Sequence, residues 1–221
     1  MLWVVIPAYN EARRIKEVIK GVKKYTKRII VVDDGSKDKT FEAAQKQKVE
    51  VLRHIVNLGK GAALKTGCDY ALRKKATGFI VIDSDGQHDP KEIPKFAWKL
   101  RSHDIVFGQR RFDKNMPLIL KWGNRFIDFM IKMLYGIDLQ DTQCGYRAFT
   151  ARAYRKIRWR ASDYSLESEM IANAGRAKLK YSTISIATIY SDKYKGTTVM
   201  DGMKIVINMV MWRMKRGRVR L

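Results

Sequence analysis

Acidic residues are scarce in this chain: 22 Asp and Glu stand against 45 Lys and Arg, a formal charge of +23 over 221 residues. A deficit of that size points to a polyanionic partner: nucleic acid, an anionic membrane surface or phosphorylated small molecules. Cysteine is nearly absent. Cys68 in a helical pattern and Cys144 in a polar loop are too few for a disulfide framework and fit a reducing compartment. Three scattered histidines give no zinc-ligand spacing. No run of about 18 uncharged apolar residues occurs, so no transmembrane helix is expected. The opening Met1-Leu2-Trp3-Val4-Val5-Ile6 has no charged leader and reads as a first strand, not a signal peptide. Two nucleotide motifs are missing as well. Lys65-Thr66 follows Leu64, not the glycine a Walker A loop requires, and no G-x-G-x-x-G fingerprint is present. Internal repeats, low-complexity tracts and Pro/Gly-rich linkers are likewise lacking, so a second independent domain is not expected.

What is present reads as a single α/β domain with a sizeable core, the apolar share being 46%. Strand patterns at Leu2 to Ile6, Arg28 to Val32, Val49 to His54 and Phe79 to Ile82 alternate with helical patterns at Glu11 to Tyr25, Lys39 to Lys48 and Lys60 to Lys75. Short β-rich apolar runs between longer 3.6-period segments predict βαβ units and a mainly parallel sheet covered on both faces. A helix should follow Pro90, and Asp104 to Gly108 reads as a further strand.

After Arg110 the texture changes. From Pro117 to Tyr135 the polar residues Lys121, Arg125, Asp128 and Lys132 occupy one narrow helical stripe, and most of the remaining surface is Leu, Ile, Phe, Met and Trp. The segment from Asp201 to Met214 repeats this design and ends in Lys215-Arg216-Gly217-Arg218-Val219-Arg220. Wide apolar faces backed by a basic tail suit helices lying in a bilayer interface beside anionic head groups. Two ordinary core helices with a solvated tail are the alternative.

Polar groups gather at three strand ends. Pro7-Ala8-Tyr9-Asn10-Glu11 ends the first, with Pro7 expected to stop the strand and Tyr9 able to stack on a base. Asp33-Asp34-Gly35-Ser36 ends the second, where one carboxylate can accept from a nucleobase N–H and the other can touch ribose hydroxyls. The third is Asp83-Ser84-Asp85-Gly86-Gln87-His88, whose oxygens suit a hard divalent cation such as Mg²⁺ or Mn²⁺. Carboxyl ends of parallel strands are where open α/β sheets bind ligands. Each cluster also has a plain explanation as turn and cap chemistry, including an N-cap at Asp89 before Pro90. Asn57-Leu58-Gly59-Lys60-Gly61 could bring backbone N–H groups and Lys60 to a phosphate. A second polar series runs through Gly108-Gln109-Arg110-Arg111, Asn124-Arg125, Asp141-Thr142-Gln143-Cys144-Gly145-Tyr146-Arg147, and Glu167 with Glu169. Arg110 and Arg125 straddle the start of the first amphipathic segment, and guanidinium suits phosphate.

In this order the motifs resemble the family-2 inverting glycosyltransferases of GT-A fold, and within them the polyprenyl-phosphate (dolichyl-phosphate) sugar synthases. The resemblance runs from Val4 to about Thr198; D-S-D-G-Q-H-D-P followed by D-T-Q-C-G-Y-R carries the narrower likeness. It implies a glycosyltransferase domain over residues 1–198 and an amphipathic helix with a basic tail over 199–221. It implies that Pro7, Ala8, Tyr9, Glu11 and Asp34, with Asp33, Lys60 and Ser84 beside them, hold a nucleotide sugar, and that Asp83 lies by its ribose or diphosphate. Asp85 and Gln87 would bind the divalent cation. Arg110 and Arg125 would hold a lipid phosphate, and Asp141, Gln143 and Arg147 would shape the acceptor site, with Lys193 and Lys195 as further phosphate contacts. Thr198 stands where the relatives' basic element has a lysine. The implied partners are a GDP- or UDP-linked sugar, a polyprenyl or dolichyl phosphate, and the cytoplasmic face of a membrane, reached monotopically or through an anchoring protein. Nucleic acid is not expected, because acidic strand ends repel it. A family-2 enzyme with a glycan acceptor, or a basic nucleic-acid-binding protein, are the competing readings.

Overall fold

The computed structural model describes residues 1–110, 118–162, 165–187, 207–209 and 211–213. Seven strands form one sheet in the order β3-β2-β1-β4-β6-β5-β7. They are β1 Leu2–Ala8, β2 Ile29–Asp33, β3 Glu50–Arg53, β4 Gly78–Val81, β5 Ile105–Arg110, β6 Arg147–Thr150 and β7 Tyr181–Ile186. All neighbours pair parallel except β6, which runs antiparallel to both β4 and β5. Six strands therefore point their carboxyl ends at one edge, and β6 enters the sheet from that edge.

The strand sequences explain why the sheet is a middle layer. Every residue of β2 is buried, as a strand covered on both faces requires. Alternate residues feed two separate cores. Val5, Ile30, Val32, Phe79 and Val81 face one way and pack with Leu64 and Cys68 of α3 (Lys60–Arg73) and Met170 and Ile171 of α7 (Leu166–Arg176). Val4, Ile6, Ile29, Val31 and Ile80 face the other way, against Ile15, Val18, Ile19 and Val22 of α1 (Ile15–Lys23) and Phe96 of α4 (Ile93–Lys99). The remaining helices are α2 Thr40–Gln45, α5 Leu118–Tyr135 and α6 Ala151–Ile157, with a 3-10 turn at Pro90–Glu92.

Several boundaries differ from the sequence expectation. Pro7 does not stop the first strand; it pairs within β1, opposite Val32. Its missing N–H faces the β4 side, where pairing has already ended at Val5 and Val81, so no ladder bond is lost. The helix expected from Glu11 begins at Ile15, because the preceding amides bond across to the next loop: Asn10 N–H donates to Ser36 Oγ (2.9 Å) and Glu11 N–H to Thr40 Oγ1 (2.8 Å).

Helix α5 divides its apolar residues between the core and the surface. Ile127 and Ile131 lie in the first core, whereas Phe126, Phe129 and Met133 are each more than half exposed. The Tyr135 hydroxyl donates to the Met209 carbonyl at 2.7 Å. This brings the 207–213 segment beside α5, with Ile207 60% exposed. No helix among the described residues is long and apolar enough to cross a membrane. The expected basic tail, Lys193, Lys195 and most of the second amphipathic segment lie outside the described residues.

Candidate active site at the carboxyl edge

The three acidic strand ends meet as expected, since β1, β2 and β4 are mutually parallel neighbours. The antiparallel β6 adds what the sequence did not reveal. Arg147, its first residue, pairs with Val81 of β4 and Phe107 of β5. The 141–146 loop must therefore enter between the ends of those strands, with the Asp83–His88 turn on one side and Arg110 on the other.

At the β4 end, Asp83 Oδ1 lies 2.8 Å from Lys60 Nζ, and Lys60 also reaches Glu167 Oε1 at 2.9 Å. Burial pushes the Asp83 carboxyl up, but Lys60, His88 and Arg110 outweigh it and hold the group at about 2. Lys60 is driven upward by the same two carboxylates against its own burial. Its ammonium thus sits between two carboxylates. Gly145 allows this arrangement: a Cβ there would come within 2.5 Å of Asp83 Oδ2 and 2.8 Å of Lys60 Nζ.

Two residues on, Asp85 Oδ1 accepts the Gln87 backbone N–H at 2.9 Å, and Gly86 at φ +77 closes the turn. Asp89 caps the 3-10 turn through Lys91 N–H at 2.9 Å, with Pro90 inside it. Cap chemistry therefore accounts for Asp89 but leaves Asp85 half-buried, with no cation paired to it among the described residues. The buried His88 ring stacks on Tyr146 with centroids 5.1 Å apart. Burial lowers its pKa, against the pull of Asp83 and Asp85, while Lys60 and Arg110 act with burial. Asp83, Asp85, Lys60 and Arg110 thus act on one imidazole and share one neighbourhood.

No group of three or more His, Cys, Asp or Glu side chains forms a metal cage among the described residues. The Asp85 carboxylate with the Gln87 amide nevertheless fits a Mg²⁺-type ion, which usually takes one or two protein carboxylates and completes its shell with water and substrate phosphates.

At the β1 end, Tyr9 is exposed, Glu11 pairs with Arg14 at 3.2 Å, and Pro7 and Ala8 are buried. Ser84 is buried too. Asp34 accepts from His54 Nδ1 (2.7 Å), Leu58 N–H (3.0 Å) and Gly59 N–H (2.8 Å), and so fixes the 54–59 loop. A carboxylate offers about four acceptor sites, of which these bonds use three. Asp33 is fully buried and paired with Arg53 at 3.1 Å, so it braces β2 against β3.

At the β5 end, Arg110 grips Asp141 with two guanidinium bonds of 2.7 and 3.0 Å, and its backbone N–H donates to the same carboxylate at 3.2 Å. Asp141 is buried and its partner guanidinium is partly exposed. Gln143 Nε2 donates to Ser168 Oγ at 3.0 Å. Arg125 is exposed on α5, one turn from Asp128. Arg147 is 2% exposed and donates to the carbonyls of Cys144 (2.8 Å), Glu167 (2.7 Å) and Thr142 (2.7 Å), so its guanidinium braces the 141–146 loop.

The sequence reading assigned His54 no role and Asp128 only a stripe position, and it placed His88, Gly145 and Glu167 in polar series without naming their partners. For His54 a signal was available: it directly follows β3 as Asp34 follows β2, and parallel neighbours bring such positions together. Asp128 accepts the Thr142 backbone N–H at 3.3 Å. Burial raises its pKa to about 6; Thr142 opposes this, and repulsion from Asp141 and Asp138 adds to it. A carboxyl raised above its unfolded value of about 3.9 weakens the fold as pH rises from about 4 to 6, and its full cost is felt above 6. Asp128→Asn should therefore add on the order of 1–3 kcal/mol near pH 8 and nothing near pH 3.5. Urea unfolding at both pH values checks this; equal midpoints at pH 8 would contradict it.

The fold and its relatives agree. A glucosyl-3-phosphoglycerate synthase from Mycobacterium tuberculosis, solved with Mg²⁺ and uridine diphosphate, superposes with a TM-score of 0.76 at 20% identity, over 96% of this chain and 79% of that one. At that identity the likeness concerns the fold, which is GT-A. The UDP-N-acetylglucosamine–dolichyl-phosphate N-acetylglucosaminyltransferase of Methanococcus voltae is 35% identical, spanning 99% of this chain and 98% of the relative. The undecaprenyl-phosphate mannosyltransferase of Micrococcus luteus is 26% identical over 94% of this chain and 92% of its own. The glycosyl transferase family 2 model matches residues 3–158, most of the sheet and its acidic edge, and the chain belongs to that family.

Proposed function

We propose that the protein transfers a sugar from a UDP- or GDP-linked donor to the phosphate of a membrane polyprenol, with inversion at the anomeric carbon. One observation carries the reading: the Asp83–Gln87 turn and the Arg110–Asp141 pair flank the same loop at one sheet edge, and α5, with its exposed apolar stripe, follows Arg110 in the chain. The full-length similarity to enzymes named for dolichyl and undecaprenyl phosphate supports the acceptor class.

The chemistry asks little of a base. A phosphate monoester has its second pKa near 6 and is largely dianionic at pH 7. One phosphate oxygen attacks C1, the bond from C1 to the donor diphosphate breaks, and no proton need move. What remains is electrostatic. Arg110 and Arg125 hold the anionic acceptor against its repulsion from the donor, and Tyr9, Glu11 and the last acceptor site of Asp34 orient the nucleoside. Asp85 and Gln87 would hold a divalent cation, which when bound offsets charge gathering on the departing diphosphate. Phe126, Phe129, Met133, Ile207 and Met211 lie in the bilayer interface, with the basic tail from Lys215 to Arg220 against anionic head groups on the cytoplasmic face.

The test incubates protein, Mg²⁺ or Mn²⁺ and polyprenyl phosphate with a panel of UDP- and GDP-sugars and scores glycolipid. Arg125→Ala should raise KM for the lipid phosphate about tenfold, the size of one charged hydrogen bond, and leave KM for the nucleotide sugar unchanged. Transfer to soluble glycans with none to polyprenyl phosphate would overturn the reading.

A further inference from the structure

Helix α5 has an outer and an inner side, and one charged residue sits between them. Phe126, Phe129 and Met133 point outward, while Ile127 and Ile131 are in the core. Asp128 lies on the border, with Asp138 and Asp141 of the following loop facing it and Arg125 and Lys132 one turn away on its own helix. Its Oδ1 accepts the backbone N–H of Thr142 at 3.3 Å. Thr142 is the neighbour of Asp141, which holds the Arg110 guanidinium by two bonds. Three residues further, Gly145 presses against Asp83 and Lys60. A single carboxylate therefore links the helix with the exposed apolar stripe to the loop that serves both ends of the site.

Apolar packing alone would hold α5 in place, and an ionised group here works against stability. Groups that cost stability near a site are retained for what they do there. The charge of Asp128 also opposes that of Asp141, and that opposition is relieved while Asp141 is bridged by Arg110.

We propose that Asp128 is a positioning residue: its bond to Thr142 ties α5 to the Asp141–Arg110 pair, so that seating α5 in a bilayer orders the loop whose Asp141 holds the acceptor arginine of β5. The inference rests on the lipid-phosphate reading above and adds to it a route by which the membrane surface reaches the site. It assigns Asp128 no contact with substrate or with the reacting atoms.

Two measurements on the full chain test it. In the first, amide hydrogen exchange is followed with and without vesicles of phosphatidylcholine and phosphatidylglycerol. Vesicles should slow exchange in α5 and in residues 138–146 of the wild type. In Asp128→Ala they should protect α5 but not the loop, and Asp128→Asn, which keeps an acceptor oxygen, should restore loop protection. In the second, Asp128→Ala should raise KM for polyprenyl phosphate about tenfold, with kcat and KM for the nucleotide sugar within about twofold of wild type. Loop protection in Asp128→Ala equal to wild type, or a parallel loss in both KM values and Tm, overturns the proposal, as does failure of Asn to restore protection. If wild-type protein makes no glycolipid, the lipid-phosphate reading falls, and the exchange arm still decides whether Asp128 couples helix to loop.

Discussion

Asp85→Ala should lower turnover about 10²- to 10³-fold while leaving the fold intact, the loss usual for removing one principal electrostatic contact of a transition state. The fold should survive because Asp85 is half-buried and its one hydrogen bond among the described residues closes a turn that Gly86 already favours by its backbone. Asp89, four residues on, is the internal control. It caps the 3-10 turn, so Asp89→Ala should cost about 1 kcal/mol of stability and leave turnover within about twofold. Excess EDTA should abolish wild-type turnover, and added Mg²⁺ should restore wild type but not Asp85→Ala. Turnover of glycolipid synthesis and thermal melts of the three proteins decide the matter. Equal activity in Asp85→Ala and wild type, or wild-type turnover undiminished by EDTA, would remove Asp85 and the cation from the chemistry.

The contrast between Asp85 and Asp89 shows what a sequence can convey about this site. The stretch from Phe79 to Pro90 announced both a strand end rich in oxygen ligands and a helix start, and both are present because the two signals rest on different residues. The parallel half of the fold was legible for a similar reason: β1, β2 and β4 are nearly unbroken apolar runs, and helix-period segments separate them. The second half gave no such signal. β6 is only Arg-Ala-Phe-Thr, with a charged residue at its start, and β7 alternates Tyr-Ser-Thr-Ile-Ser-Ile at the edge of the sheet. Neither pattern outweighs its polar content locally; β6 exists because two strands already flank it. The links of Lys60 to Glu167, 107 residues apart, and of Arg110 to Asp141, 31 apart, depend on that insertion and were invisible for the same reason. Residue types marked which polar groups gather at this edge, but which arginine is buried and which is partly exposed depended on where β6 begins.

Arg147 is where that distinction has its largest consequence. Its side chain is 2% exposed, each of its three nitrogens donates to a backbone carbonyl, and its guanidinium lies 5.3 Å from the Phe107 ring centroid. Removing a buried charge's partner set leaves the carbonyls of Thr142, Cys144 and Glu167 without donors in a site closed to water. Breaking such an arrangement typically costs about 3–5 kcal/mol. For a chain of this size that lowers Tm by roughly 6–20 °C. Arg147→Met, which fills similar volume without the donors, should therefore unfold early, and Arg147→Lys should recover only part of the loss, because an ammonium cannot span three carbonyls as a planar guanidinium does. The same substitution should disturb both substrates alike, since the 141–146 loop carries Gly145 against Asp83 as well as Asp141 against Arg110. Thermal melts and KM values for the two substrates separate the roles. An Arg147→Met protein with wild-type Tm and a raised KM for polyprenyl phosphate alone would return this residue to the acceptor phosphate.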